Sequence, residues 1–458
     1  MSKIQAGNFD IKSLLIVSEN GSIDINGIFT EINIFESIYS PTLTGWISVD
    51  DALNLISGSN SLPIMGNELI VIQVSVGEHT SQKSISTKKD SGDRKSKSFT
   101  FVGRIIDIKN RTMINERAQS YEIHFTSEEF VLDRNIRISK SYTNETISNI
   151  LEKILLDFNT QTTYEIEKTV GISNVVIPNW TPLKTINWLA SRAVSEYGKP
   201  TFFFFQTLYN DGQTSSDRKS YTLSRFTEET SSKYWFLSLD DMLAYAPRKT
   251  IYFRPGNIDQ DIGSNYEYAN AYNYEVINSF NTIVNNANGL FNNTLLTHDI
   301  TKKKWSKNTF NYNDKFDQLY HLEENKMYTG VFDSKRNRFD SQDYKDSLII
   351  YNPTGTAENP NFTERISSIR THRLASLDLF KIRITLPGDC TLESGDVVYF
   401  DLPSPEPGGE TKFDEYYKGN LLITHIRHTI TKVQYNMTIE CCKETLRKKV
   451  GSWSLMVS

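Results

Sequence analysis

The chain has 458 residues, 38% of them hydrophobic and 23% charged, with a formal net charge of −5. That length holds two to four domains with a sizeable core, and that composition excludes wholesale disorder. The acidic balance argues against a protein that grips duplex DNA, which gathers basic residues on one face.

The N-terminal MSKIQAGNFDIKSLLIVSEN carries only a short apolar run and no cleavage pattern, so no secretion signal is expected. No stretch approaches the roughly 20 apolar residues of a membrane span. The first 140 residues then read as strands. Ile23, Ile25, Ile28, Thr30, Ile32 and Ile34 keep period-2 spacing, and further runs follow at 45–49, 68–76, 99–108 and 120–125. Ser40-Pro41 and Gly66-Asn67 punctuate them. Several short strands in so few residues predict a sandwich or small barrel. The abundance of Tyr and Phe (23 and 25, against 6 Trp) leans the same way. Residues 81–98, SQKSISTKKDSGDRKSKS, carry six Lys or Arg against two Asp and almost no apolar side chain. Such a segment buries too little to order itself. It reads as a long hairpin loop, either solvated or ordered against a neighbouring subunit or a nucleic-acid backbone.

A helix is expected from Thr143, as its cap, with Ile147, Ile150, Leu151, Ile154 and Leu155 on one face. A second is expected from Thr181 and Pro182 to Gly198, followed by the strand TFFFFQT. Residues 265–293 hold ten Asn and no Lys or Arg, which predicts a largely irregular interdomain segment. A last helix starts near Thr363, with Ile366 and Ile369 on one face, before strands resume at Phe380.

The end of the chain resembles its beginning. GNELIVIQV at Gly66 is matched by GDVVYFDL at Gly395, the segment around Gly103 by that around Gly419, and SYEIHF at Tyr121 by QYNMTIE at Tyr435. The fold expected is mainly β with an α+β insert: two similar small barrels and a mixed middle domain. The divisions fall at 1–140, 141–365 (with 221–254 packing on the second barrel), 366–446 and a C-terminal arm at 447–458. Three such chains about a three-fold axis would present six similar units.

No phosphate loop, H-E-x-x-H or G-x-S-x-G occurs. His425, His428, Cys441 and Cys442 are zinc-ligand types, but His-x-x-His and Cys-Cys on strands send neighbours to opposite faces. Asp50 and Asp51, or Glu128 and Glu129, have the residue types for paired acid/base work in glycoside hydrolysis, but nothing places a second acid opposite either pair. No catalytic, cofactor or metal residue is assigned, and the three cysteines (Cys390, Cys441, Cys442) form no disulfide framework, as in a protein folded in a reducing cytoplasm.

Four segments together resemble the baseplate hub proteins of contractile-tailed, T-even-like bacteriophages. They are FTEINIFESIYSPTLTGWISVDDALNLI from Phe29, NWTPLKTINWLASRAVSEYGKPTFFFFQT from Asn179, LFNNTLLTHDITKKKWSKNTFNYNDKF from Leu290, and LPGDCTLESGDVVYFDLP from Leu386 with the GNLLITHIRHTIT hairpin after it. The resemblance implies a non-enzymatic structural subunit of the virion tail, made in the host cytoplasm. It implies two tube-type barrels per chain and a homotrimeric ring that adapts the six-fold tail tube to the three-fold central spike. The tube protein, the spike and baseplate wedge proteins are the partners it implies, and DNA crosses the bore at ejection. Two other classes stay open on the residues alone: a tail-associated cell-wall hydrolase, and a host-glycan-binding module resting on the Tyr-rich 265–293 segment.

Overall fold

The structure is a computed structural model that describes residues 9–447, apart from 20, 53, 57–63, 77–96, 159, 161, 209–231, 255–268, 300–301, 327–330, 334–337, 341–346, 355–359, 404–413 and 415. The basic loop up to residue 96 and the arm beyond 447 therefore lie outside the described residues.

Seven strands open the chain: β1 (Phe9–Ser18), β2 (Gly21–Asp24), β3 (Phe29–Ser37), β4 (Thr44–Asp51), β5 (Leu69–Val76), β6 (Lys97–Asn115) and β7 (Ala118–Ser127). The period-2 run from Ile23 is thus two strands, because a turn at Ile25–Ile28 reverses the chain. Alternate residues such as Ile16, Ile32, Ile47, Ile72, Phe101 and Ile123 converge on one core, which closes these strands into a barrel.

The middle region begins with α1 (Glu128–Asn135), β8 (Ile138–Glu145), α2 (Ile147–Phe158), β9 (Thr163–Ile166), β10 (Ser173–Trp180), α3 (Pro182–Ala190), β11 (Phe202–Thr207) and β12 (Lys233–Ser238). The helix expected at Thr143 starts four residues later: Thr143 lies in β8, paired with β10, and the Thr146 hydroxyl accepts from Asn149 N instead. The helix begun at Pro182 stops at Ala190, well before Gly198. The Phe run of β11 is buried throughout: Phe202 and Phe204 pack with α2 and α3, while Phe203 and Phe205 join a separate core with Leu239, Met242 and Leu377.

The chain continues through α4 (Leu239–Ala244), β13 (Lys249–Tyr252), β14 (Asn273–Ser279), α5 (Thr282–Ala287), β15 (Asn292–Asp299), β16 (Lys304–Asn311), α6 (Tyr312–Lys315), β17 (Val331–Asp333), β18 (Arg338–Asp340), β19 (Ile349–Thr354) and α7 (Pro360–Ser376). The Asn-rich segment therefore holds a strand and a helix, α5, which Asn281 caps by accepting from Val284 N. Backbone pairing with β20 overrides the weak strand preference of Asn in β14. The last strands are β20 (Phe380–Pro387), β21 (Val397–Asp401), β22 (Gly419–Thr431) and β23 (Tyr435–Lys443).

These last strands, with β13 and β14, enclose a second core of Ile382, Ile384, Phe400, Ile423, Met437 and Ile439. Its order, β14-β20-β23-β22-β21, repeats β3-β4-β7-β6-β5 of the first barrel. A bulge at the same place confirms the equivalence: β6 slips against β7 between Ile105 and Asp107, and β22 slips against β23 between Ile423 and His425. This register makes Ile105, not Asp107, the equivalent of Ile423, so the two glycines aligned in the sequence are displaced by two residues. A shift of two keeps every side chain on its face, which is why the sequence pattern tolerated it.

Candidate functional surface

The two barrels are one sheet. Strand β22 of the second pairs antiparallel with β3 of the first, from His425 opposite Ser37 to Thr431 opposite Glu31. Because side chains alternate along strands, Ile426, His428 and Ile430 turn inward with Ile32, Ile34 and Glu36. His425, Arg427 and Thr429 turn outward with Ser37, Phe35 and Asn33. The result is a mainly polar face across β14, β20, β23, β22, β3, β4, β7 and β6, in which Phe35 and Trp46 are half-buried aromatic exceptions.

The other side of the sheet, which faces the core, is tightly packed at Gly45. A Cβ on Gly45 of β4 would lie 2.3 Å from the Asn33 carbonyl and 2.4 Å from the Phe125 ring.

Among the described residues the face carries six carboxylates (Glu31, Asp50, Asp107, Glu122, Glu275, Glu440) and five cations (Arg104, Lys109, Lys381, Arg383, Arg427). Each cation is matched. Arg383 lies 3.1 Å from Glu275 and 2.7 Å from Glu440 on the flanking strands. Arg427 donates to Asn33 Oδ1 at 2.7 Å and lies 3.4 Å from Glu31. Lys109 is 3.8 Å from Asp107, Lys381 pairs with Asp378, and Arg104 pairs with Glu128. A shallow depression of about 560 Å³ lies over the seam, walled by Phe35, Thr44, Arg383, His425, Arg427 and Glu440.

Beneath the seam, the buried carboxylate of Glu36 accepts from Leu208 N at 3.0 Å, Ser394 N at 3.3 Å and His428 Nε2 at 3.2 Å. One first-barrel side chain therefore ties down the middle region and the second barrel. With Nε2–H committed to a carboxylate, His428 Nδ1 accepts from the Tyr435 hydroxyl at 2.8 Å. Gly388 leaves room for that Tyr ring, which a Cβ would meet at 2.1 Å. Burial raises the Tyr435 phenol well above its ordinary range, so the proton stays on oxygen. Nearby, Glu393 accepts from Thr207 Oγ1 at 2.8 Å and lies 3.7 Å from Arg248. Burial and then Asp396 push its carboxyl up to about 7.

A second buried network fastens α7. Arg373 Nη2 donates to Asp240 Oδ1 at 2.6 Å and to the Tyr320 carbonyl at 2.5 Å, while Nη1 stands 3.7 Å from Glu444. Glu444 also accepts from Leu322 N at 3.0 Å and lies 2.8 Å from His321 Nδ1.

The residue types that invited chemistry are dispersed. His425 and His428 point to opposite faces of β22, and Cys441 and Cys442 enter different cores. Among the described residues no group of three His, Cys, Asp or Glu is placed to hold a metal ion. Asp51 is buried and accepts from Leu55 N and Tyr121 Oη, while Asp50 is exposed. Glu128 pairs with Arg104, and Glu129 accepts from Thr160 and Thr162 hydroxyls. Asp51, Glu128 and Glu129 are thus engaged in bonds to neighbouring elements of the fold. The Glu36–His428–Tyr435 chain escaped the sequence reading, because Glu36 and His428 lie 392 positions apart.

The sequence matches no protein-family model and no curated protein. Solved structures do match over nearly the whole chain. The 43 kDa tail protein of prophage MuSo2 from Shewanella oneidensis is 11% identical with a TM-score of 0.51, covering 94% of this chain and 98% of that one. A tail protein from Neisseria meningitidis MC58 is 8% identical with a TM-score of 0.51, covering 95% and 97%. The chain has the mainly β fold of phage tail proteins. Among the described residues no helix is long and apolar enough to cross a membrane.

Proposed function

We propose that the chain is a non-catalytic structural subunit of a phage tail baseplate hub, carried in the virion. Three copies form a ring whose six barrels match the six-fold tail tube on one side and the three-fold central spike on the other. In this reading residues 1–140 and 366–446 form tube-type barrels around a mixed 141–365 region, with β13 and β14 lent to the second barrel, and wedge proteins bind outside. The observation that carries the proposal is the pair of barrels with one strand order, joined edge to edge.

The polar face supports the passage of DNA through such a ring. Phosphate backbones bind where cations are offered in rows. Here each cation is already held by a carboxylate or amide, and the acids outnumber the bases, so the face repels phosphate without a sticking point.

Light scattering coupled to gel filtration tests the assembly. Three copies of the 52.6 kDa chain give a particle of about 158 kDa. A monomer at every concentration, alone and co-expressed with the spike protein, would overturn the proposal.

A further inference from the structure

The internal seam has two unpaired counterparts. In the first barrel β6 is the equivalent of β22, and in the second β14 is the equivalent of β3. Within the chain β22 pairs with β3, yet among the described residues β14 bonds only to β20, and β6 beyond Asp107 bonds only to β7. We propose that β6 of one copy pairs antiparallel with β14 of a second copy, repeating the β22–β3 seam between chains. The inference rests on the ring assembly proposed above and names the strands that close it.

The register follows from the matched bulges. Counting from them, Lys109 stands where Arg427 stands, each next to its equivalent on the central strand, Glu122 or Thr438. On the other side, Asn33 faces Trp46 and Glu275 faces Arg383. Those partners in turn face His124 and Glu440, which are equivalent. Where Arg427 reaches Asn33 inside the chain, Lys109 therefore reaches Glu275 of the second copy, and opposite charges meet. Thr112, the first paired residue past the next slip of β6, lands opposite Glu275 as Thr429 does opposite Asn33.

Exposure marks the same edges. Met113 of β6 is 71% exposed and Val276 of β14 is 40% exposed, whereas their equivalents in the covered seam, Ile430 and Ile34, are both 0% exposed. Apolar side chains on open strand edges invite pairing with another chain unless something covers them. A second copy of this chain brings the complementary edge, strand direction and charge. The pairing is head-to-tail, so each copy still has one edge of each kind to offer until a ring closes.

The full chain carrying Thr112→Cys and Glu275→Cys tests the seam, with a mild oxidant and, separately, a short bismaleimide. The native cysteines are buried, so background cross-linking is low. Covalent species up to the trimer are expected from the double variant and not from either single one. As a second arm, Lys109→Glu should raise the concentration needed for assembly at least tenfold, and Lys109→Glu with Glu275→Lys should restore it. A wild-type trimer with no specific cross-link and no effect of Lys109→Glu overturns this seam and leaves the hub reading standing. A wild type that never assembles overturns both.

Discussion

Replacing Arg373 by Met should loosen the junction between α7, the middle region and the end of the second barrel. The guanidinium is fully buried, and its two carboxylate neighbours, Asp240 and Glu444, are 2% and 1% exposed at their side chains. Met fills a similar volume, so the cavity contribution is small. What remains is two buried carboxylates whose shared cation has gone, with only His321 and Leu322 N left beside Glu444. Breaking a buried ion pair from one side costs about 3–5 kcal/mol. The Tyr320 carbonyl also loses its donor, which adds about 1 kcal/mol. Urea unfolding followed by tryptophan fluorescence should show the midpoint of the affected transition falling, and adding Asp240→Asn should recover part of the loss. A variant within about 1 kcal/mol of wild type would refute the reasoning, because Asp240 and Glu444 would then have to be solvated or protonated.

Two further outcomes follow from groups on or near the seam. Glu393 titrates near 7 in the folded chain against an ordinary 4.5, so the folded state binds its proton more tightly. Its contribution is most favourable below pH 4.5 and is lost as pH rises to 7, by about 3 kcal/mol at most. Glu393→Gln should therefore flatten the fall in melting temperature between pH 5 and pH 7.5, and an unchanged slope would count against the buried placement. On the polar face, Glu31→Gln with Glu440→Gln removes carboxylates that hold Arg427 and Arg383. Arg427 then keeps only the neutral Asn33 while Arg383 keeps Glu275, so duplex DNA should bind more tightly, with a log–log salt slope steeper by about 1 for one freed cation. DNA binding that stays at wild-type level would remove charge matching as the reason for passage.

The residues by themselves determined the strand-rich class, the apolar face of α2, the start of α3 and the existence of a repeat. These rest on local periodicity: Ile47 and Val49 alternate with Trp46 and Ser48, and that pattern survives whatever the strand pairs with. Boundaries were less legible. Thr143 has the chemistry of a cap, yet sheet pairing with β10 took it. Asn273 and Asn278 disfavour a strand, yet Tyr274, Val276 and Ile277 favour one and β20 supplied a ladder. The register of the repeat was missed by two residues because a two-residue slip leaves the alternation intact, and only the shared bulge resolves it. The seam, the matched charges and the Glu36–His428–Tyr435 chain were decided by tertiary structure alone. Each joins residues far apart in the chain, as Arg427 joins Asn33 across 394 positions. No local pattern encodes such a pairing, because each strand's own sequence says which face is apolar and is silent on which strand lies beside it.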